Sequence, residues 1–235
     1  ISIVGEKNFT DNPFDLLSYS QDGSEAEGTA EAIAWVTTTE QVSSILKLAN
    51  EKQFTVTPRG AATGLSGGAV ASKGLLMDFS RMNKILEIDP ENLTATVEAG
   101  VVLADLNKEC AKLDPPLFFP PMPASDSVAQ VGGSIAENAG GVRAVKYGVM
   151  HDWILGLEIV LPTGEVINEG GKIDLSHLEI LAMSSGNIFL RALDGVQNIA
   201  GRLQTVHGDV IVQSPSFLIG LVYHQLQKES RGNGY

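Results

Sequence analysis

The chain has 235 residues, 43% of them hydrophobic, and sets 16 Lys and Arg against 28 Asp and Glu for a formal charge of −12. That composition excludes a disordered chain and fits one large or two small packed domains, while the acidic balance disfavours nucleic acid and anionic membrane as partners: any phosphate must be held by local geometry, not by a global positive field. One cysteine, Cys110, excludes an intrachain disulfide and fits a reducing, cytoplasmic setting, and no stretch reaches the roughly 20 continuous apolar residues of a spanning helix.

Residues 1–29 are acidic and mixed and read as an N-terminal arm with a short helix around 13–19. Residues 32–36 predict a strand. In 37–52, Val42, Ile45, Leu46 and Ala49 fall at i, i+3, i+4 and i+7, which is one helical face. Thr37 with Glu40, or Thr38 with Gln41, has the spacing that caps free N–H groups at a helix start. A strand over 54–57 then runs into the glycine-rich stretch PRGAATGLSGGAV, residues 58–70. Strand, helix, strand is a parallel crossover unit, and ligands in such sheets sit beyond the carboxyl ends of the strands, where this loop stands.

Further on, 74–79 predicts a strand, and 85–88 with 93–98 predict a hairpin about Asp89-Pro90-Glu91-Asn92. Leu103, Leu106, Cys110 and Leu113 repeat a helical face. The run PPLFFPPMPAS must be extended and irregular, since each proline lacks a donor and restrains its predecessor. A second glycine-rich run, VGGSIAENAGGVRAVKYG, occupies 131–148. Strands over 154–161 and 166–167 form another hairpin about Pro162-Thr163-Gly164-Glu165. From Lys172 onward the pattern predicts helices over 174–183 and 190–203, a strand over 210–212 and a polar tail over 229–235.

Bare N–H groups approach phosphate oxygens where no Cβ intervenes, so two side-chain-poor loops in one compact chain point to a single extended anionic ligand such as a dinucleotide. Taken singly, each run reads equally as turn chemistry, since Gly, Ser, Asn and Asp punctuate loops for their own reasons. No pair of carboxylates has the spacing of a general acid and base, and the catalytic residues stay unknown. His151, His177, His207 and His224 lack metal-ligand spacing and read as surface or core residues, so no metal is expected.

With PRGAATGLSGG, PPMPASDSV and VGGSIAENAGGVRAVKYG in one chain, residues 31–171 resemble the FAD-binding domain of the vanillyl-alcohol oxidase or PCMH type. Within it they are similar to the glycolate oxidase flavin subunit and the D-lactate dehydrogenases. The resemblance implies an α+β fold in two subdomains: a small parallel βαβ unit packed on a mixed or antiparallel sheet with helices. The FAD-binding domain would span 1–171, divided into 1–100 and 101–171. Residues 172–235 are a divergent continuation in which the family's GSEGTLG motif and cap domain have no counterpart. The implied chemistry is hydride transfer from a small 2-hydroxy acid to flavin N5, with an iron–sulfur or other carrier subunit taking the electrons. A non-catalytic FAD-binding remnant and a nucleotide-binding module without redox chemistry are the alternatives.

The same resemblance places Arg59, Gly60, Ala61, Ala62, Thr63 and Gly64 around the two phosphates, with Arg59 either neutralising charge or bracing the loop. Ser125 and Ser127 match polar positions of the proline-and-serine segment. Gly132, Gly133, Ser134, Asn138, Gly140 and Gly141 would lie along the flavin and ribityl chain, with Tyr147 and Gly148 beside them. Several members attach flavin covalently through a histidine at the position of Thr63, so FAD here is expected to be noncovalent. Arg143 and Lys146 either contact phosphate or close the ends of the second loop.

Overall fold

The computed structural model describes residues 1–170 and, beyond them, the strands Leu178–Ala182, Ile188–Ala192, Gln213–Gly220 and Val222–Tyr223. In chain order come β1 (Phe9–Thr10), α1 (Pro13–Ser18), β2 (Ala32–Trp35), α2 (Thr39–Lys52), β3 (Val56–Arg59) and β4 (Leu75–Asp78). Then follow β5 (Ile85–Asp89), β6 (Thr94–Glu98), α3 (Leu103–Cys110), β7 (Leu117–Phe118), α4 (Val131–Ala136), α5 (Ala144–Tyr147), β8 (Ile154–Val160) and β9 (Val166–Gly170). The last four strands are β10 (Leu178–Ala182), β11 (Ile188–Ala192), β12 (Gln213–Gly220) and β13 (Val222–Tyr223).

The first sheet has the order β1-β2-β4-β3, with β2, β4 and β3 parallel and β1 antiparallel on the edge. α2 crosses between β2 and β3, and β4 inserts between them. Its start is doubly capped: the Thr38 hydroxyl accepts from the Gln41 N–H at 3.3 Å, and Gln41 Oε1 accepts from the Thr37 N–H at 2.8 Å. It stops at Gln53, whose left-handed φ of 58° lets its N–H return to the Ala49 carbonyl. Val42, Ile45, Leu46 and Ala49 form its buried stripe, as their spacing predicts. In β2 and β4 alternate side chains enter different apolar clusters, Ile33 and Leu76 on one face, Ala34 and Met77 on the other. Burial on both faces explains why these strands read as continuous apolar runs.

The second sheet, β5-β6-β12-β8-β9, is antiparallel throughout. The fold is therefore α+β, a parallel unit packed on an antiparallel sheet, and the change of sheet falls between Asp78 and Ile85. One core joins the two: Val42 and Met77 pack in the same cluster as Val97, Leu103, Leu106, Leu117, Phe119, Val131 and Met150. Cys110 lies within it, and burial pushes its thiol up to about 11, so it stays a protonated packing group. The proline-rich run is pinned by the Asn107 carboxamide, which accepts from the Phe119 N–H at 2.7 Å and donates to its carbonyl at 3.3 Å. β7 in that run pairs with β13.

Two expectations are corrected. The helix predicted over 174–183 is a strand at Leu178–Ala182, and the helix predicted over 190–203 begins inside another at Ile188–Ala192; the two pair antiparallel, Leu178 opposite Ala192. Five-residue apolar runs carry too little periodicity to separate helix from strand, and the Ser-Ser-Gly-Asn between them is the signal that favours a hairpin. β12 stands where no strand is predicted, because Gln213, Ser214 and Pro215 look like a break. The register slips between Gln213 and Ser216, and such an irregularity is where a sheet tolerates proline. The predicted strand over 210–212, the tail over 229–235 and the remaining parts of both predicted helices lie outside the described residues.

Leu106 is fully buried where the two sheets meet. Leu106→Ala should cost about 3 kcal/mol, read as a lower urea midpoint with an unchanged slope.

Candidate functional site

The first glycine loop leaves the carboxyl end of β3, and Arg59, the last residue of that strand, closes its base. The side chain is only 8% exposed, and Nη1 donates to the carbonyls of Ala69 at 3.0 Å and Tyr19 at 3.2 Å, while Nη2 donates to that of Gln21 at 2.8 Å. The guanidinium also lies 5.0 Å from the centre of the Tyr19 ring. Burial lowers its pKa, and the nearby Asp78 carboxylate opposes that shift, leaving a cation at neutral pH. Of the two sequence alternatives, the geometry is that of a brace: the guanidinium makes three hydrogen bonds, onto the loop's own end and the N-terminal arm. The arm packs directly under the loop, since a Cβ on Gly23 would lie 2.8 Å from the carbonyls of Thr63 and Gly64. Sequence reading missed this support, whose signal is the Asp22-Gly23-Ser24 turn, in which Asp22 Oδ1 accepts from the Ser24 N–H at 2.8 Å.

Above that brace, none of the backbone N–H groups of residues 60–69 meets an acceptor among the described residues. Ala62 takes a left-handed φ of 54°, turning successive amides toward one side. The Thr63 hydroxyl accepts from that of Ser125 at 3.2 Å, joining this loop to the proline-and-serine segment, whereas Ser127 is exposed.

The second loop begins on α4, whose first amides are anchored: Val131 N–H donates to Val101 and Gly132 N–H to Ala99, both at 2.8 Å. Gly132 packs on Ala99, and Ser134 is buried. Gly133 differs. A Cβ there would meet nothing within 4 Å, and its N–H has no acceptor among the described residues. Glu137 bridges the loops, accepting from the Ser66 hydroxyl at 2.9 Å while its side chain lies 3.9 Å from the Cβ position of Gly64. Asn138, at φ 49°, accepts through Oδ1 from the His151 N–H at 3.1 Å. Gly140 packs on Val149 and Ala144, and Gly141, at φ 92°, has a Cβ position only 1.9 Å from the Met122 carbonyl.

At the far end Tyr147 packs edge-on against Phe118 at 5.8 Å, and its carbonyl accepts from the Trp153 indole at 2.8 Å. Arg143 lies over the Phe118 ring at 5.5 Å and Lys146 over Tyr147 at 4.9 Å, so both cations close the loop's end onto aromatic faces. Gly148 holds φ 80° beside Asp152. Between the loops sits Gln130, missed by sequence reading. It is 8% exposed, its Oε1 has no partner among the described residues, and that oxygen lies 3.0 Å from the Cβ position of Gly60. An apolar hollow lined by Ile3, Phe9, Ala34, Leu48, Phe54 and Leu75 lies apart from both loops.

Loop amides and a Gln130 carboxamide oxygen that meet no partner among the described residues, with an open glycine on the other loop, fit an extended, phosphate-bearing group. Together the sheets and loops define a dinucleotide-holding α+β domain. The family described as FAD binding domain matches residues 30–170. The chain belongs to that family, and FAD is its cofactor. It is 41% identical over 175 residues to glycolate oxidase subunit GlcD of Bacillus subtilis, a match covering 74% of this chain and 37% of that protein. It is 38% identical over 193 residues to D-lactate dehydrogenase of Anaerostipes hadrus, covering 82% of this chain and 38% of the relative. The chain thus spans less than two fifths of the length of either. A crystal structure of p-cresol methylhydroxylase with substrate bound shares the fold, with a TM-score of 0.70 at 22% identity over 94% of this chain and 42% of that one.

The glycines of the second loop should separate by sign. Gly141→Ala should destabilise by roughly 3 kcal/mol, from left-handed strain and a carbonyl clash, whereas Gly133→Ala should gain roughly 0.5–1 kcal/mol from helix propensity. Thermal melting of the two variants checks both.

Proposed function

We propose that the two loops hold FAD noncovalently, with its pyrophosphate on the amides of Gly60, Ala61, Ala62, Thr63 and Gly64 and on the Thr63 hydroxyl. Arg59 braces that cradle from below. Ser125 orients Thr63, and Ser127 stands at the rim. Gly132, Gly133, Ser134, Asn138, Gly140 and Gly141 line the path of the ribityl chain and flavin, with Tyr147 and Gly148 at its end. The observation that carries this reading is the run of ten residues, 60–69, whose N–H groups find no acceptor among the described residues. A threonine at position 63 has no nucleophilic ring nitrogen for a flavin bond, which supports noncovalent attachment.

On this reading the chain is the FAD-binding part of an oxidoreductase acting on a small 2-hydroxy acid, glycolate or D-lactate being the first candidates. The bound flavin supplies an acceptor for the hydride leaving the substrate's α-carbon. This chain's residues bind and orient: amides neutralise the diphosphate without a salt bridge, and α4 presents Gly133 with no side chain to block close approach. An iron–sulfur carrier subunit is the proposed electron outlet and the cytoplasm the proposed location, both carried from the resemblance. Among the described residues no helix is long and apolar enough to cross a membrane. A binding-only role is the second reading, favoured by a site whose assigned groups are main-chain amides, glycines and hydroxyls, with no base among them.

Titrating the purified chain with FAD should quench flavin fluorescence to a near-unit endpoint. Gly133→Val should weaken that binding about 100-fold, roughly 2.7 kcal/mol, while leaving the circular dichroism unchanged; equal affinity in variant and parent would defeat the assigned loop. Anaerobic bleaching by D-lactate or glycolate supports the enzymatic reading, and persistent colour supports binding alone.

A further inference from the structure

Beyond the second glycine loop, a short polar chain runs back from His151 to the loop residue Asn138. Asn138 Oδ1 lies 3.1 Å from the backbone N–H nitrogen of His151 and 3.1 Å from its Nδ1. An atom that accepts from a main-chain N–H is the carbonyl oxygen of the carboxamide, and a carbonyl oxygen cannot donate. The Nδ1 facing it therefore carries the hydrogen, so the contact fixes both the Asn138 flip and the ring's donor.

The ring is held from its other side as well. His151 Nε2 lies 3.0 Å from Asp152 Oδ1, and Asp152 Oδ2 accepts from the Val149 N–H at 2.7 Å. Gly148 makes room for that carboxylate, since a Cβ at its φ of 80° would lie 2.0 Å from Asp152 Oδ2. A main-chain bond from Met150 N–H to the Ala139 carbonyl, at 3.0 Å, ties the same two segments. The ring thus lies between a carboxylate and the loop asparagine, its contact with Asp152 being a hydrogen bond only in the imidazolium form, and Asn138 takes φ 49°, a conformation that asparagine tolerates better than most residues.

Two donors on one oxygen leave the opposite end of the carboxamide in a single orientation. Asn138 Nδ2 has no acceptor among the described residues. We propose that His151 is a positioning residue for the cofactor: by pinning Asn138 Oδ1 it presents the Asn138 NH2 group as a preset donor to an acceptor atom of bound FAD. With the ring contact gone, the carboxamide would be held by the His151 main-chain N–H alone and would rock about that single bond, losing preorganisation of its NH2 group. The assignment rests on the reading that Asn138 touches FAD, and it adds a residue that does not itself touch the cofactor.

The test is a double-mutant cycle on the full chain, with FAD dissociation constants from fluorescence quenching. Asn138→Ala and His151→Phe should each weaken FAD about tenfold, about 1.4 kcal/mol, and the double variant should be no weaker than either, because both remove one directed donor. His151→Asn, whose NH2 can occupy the Nδ1 position, should recover affinity to within about threefold, whereas His151→Gln, which mimics only Nε2, should stay about tenfold weak. If H151F fails to fold by circular dichroism, H151Q takes its place in the cycle. Wild-type affinity in the His151 loss variant, additive losses in the double variant, or equal weakness of H151N and H151Q would each overturn the assignment. An N138A variant that binds FAD normally would remove the Asn138 contact and this proposal with it, while leaving the loop reading intact; failure of the parent chain to bind FAD would instead remove the functional reading itself.

Discussion

The structure depends on a row of main-chain donors, those of residues 60–69, that meet no acceptor among the described residues. A ten-residue loop in which Leu65 is the one large side chain would ordinarily turn its amides onto its own carbonyls or into a turn of helix, since main-chain donors seek acceptors. Here the loop is stretched open by contacts made outside its own amides. Arg59 draws Ala69, Tyr19 and Gln21 together at the base, and Glu137 catches Ser66 from across the cleft. A lysine in place of that arginine would offer a point charge without the planar fork that reaches three carbonyls at once.

The acidic balance of the chain gives this arrangement its logic. A protein with a formal charge of −12 cannot draw a dinucleotide by its overall field, so attraction must come from short-range, oriented dipoles. The cations nearest the loops are already committed. Arg59 faces carbonyls, Arg143 and Lys146 lie on rings, and on the proposed function the remaining attraction belongs to amide groups of the first loop and of Gly133. Recognition of this kind reads shape and acceptor placement more than total charge, and it loses little to salt because the donors are carried by the backbone.

Much of this was legible in the residues. The α2 stripe, its Thr38 cap, the β5–β6 hairpin and the position of the first loop at the end of β3 follow from period, capping spacing and glycine content, which are local signals. What stayed hidden is long-range. Whether Arg59 met a phosphate or a carbonyl depended on Tyr19 and Gln21, some 40 residues earlier, and nothing in its neighbours announced them. The pairing of Asn138 with His151, the Glu137 bridge and the orphaned Gln130 are likewise products of how two sheets meet. In the second half, short apolar runs and Pro215 misled the reading of β10, β11 and β12, since a five-residue window holds no reliable period and a proline at a register slip looks like a break.

The position of β12 has a consequence for how such a chain is made. Its residues lie between β6 and β8, so the two halves of the antiparallel sheet have no direct pairing until a segment made more than 50 residues after β8 slots between them. During synthesis on the ribosome the parallel unit can assemble early, while β6 and β8 wait with open edges that invite misassociation. Nascent chains stalled before residue 213 are therefore the vulnerable species, and chaperone capture would act on them and not on the finished domain.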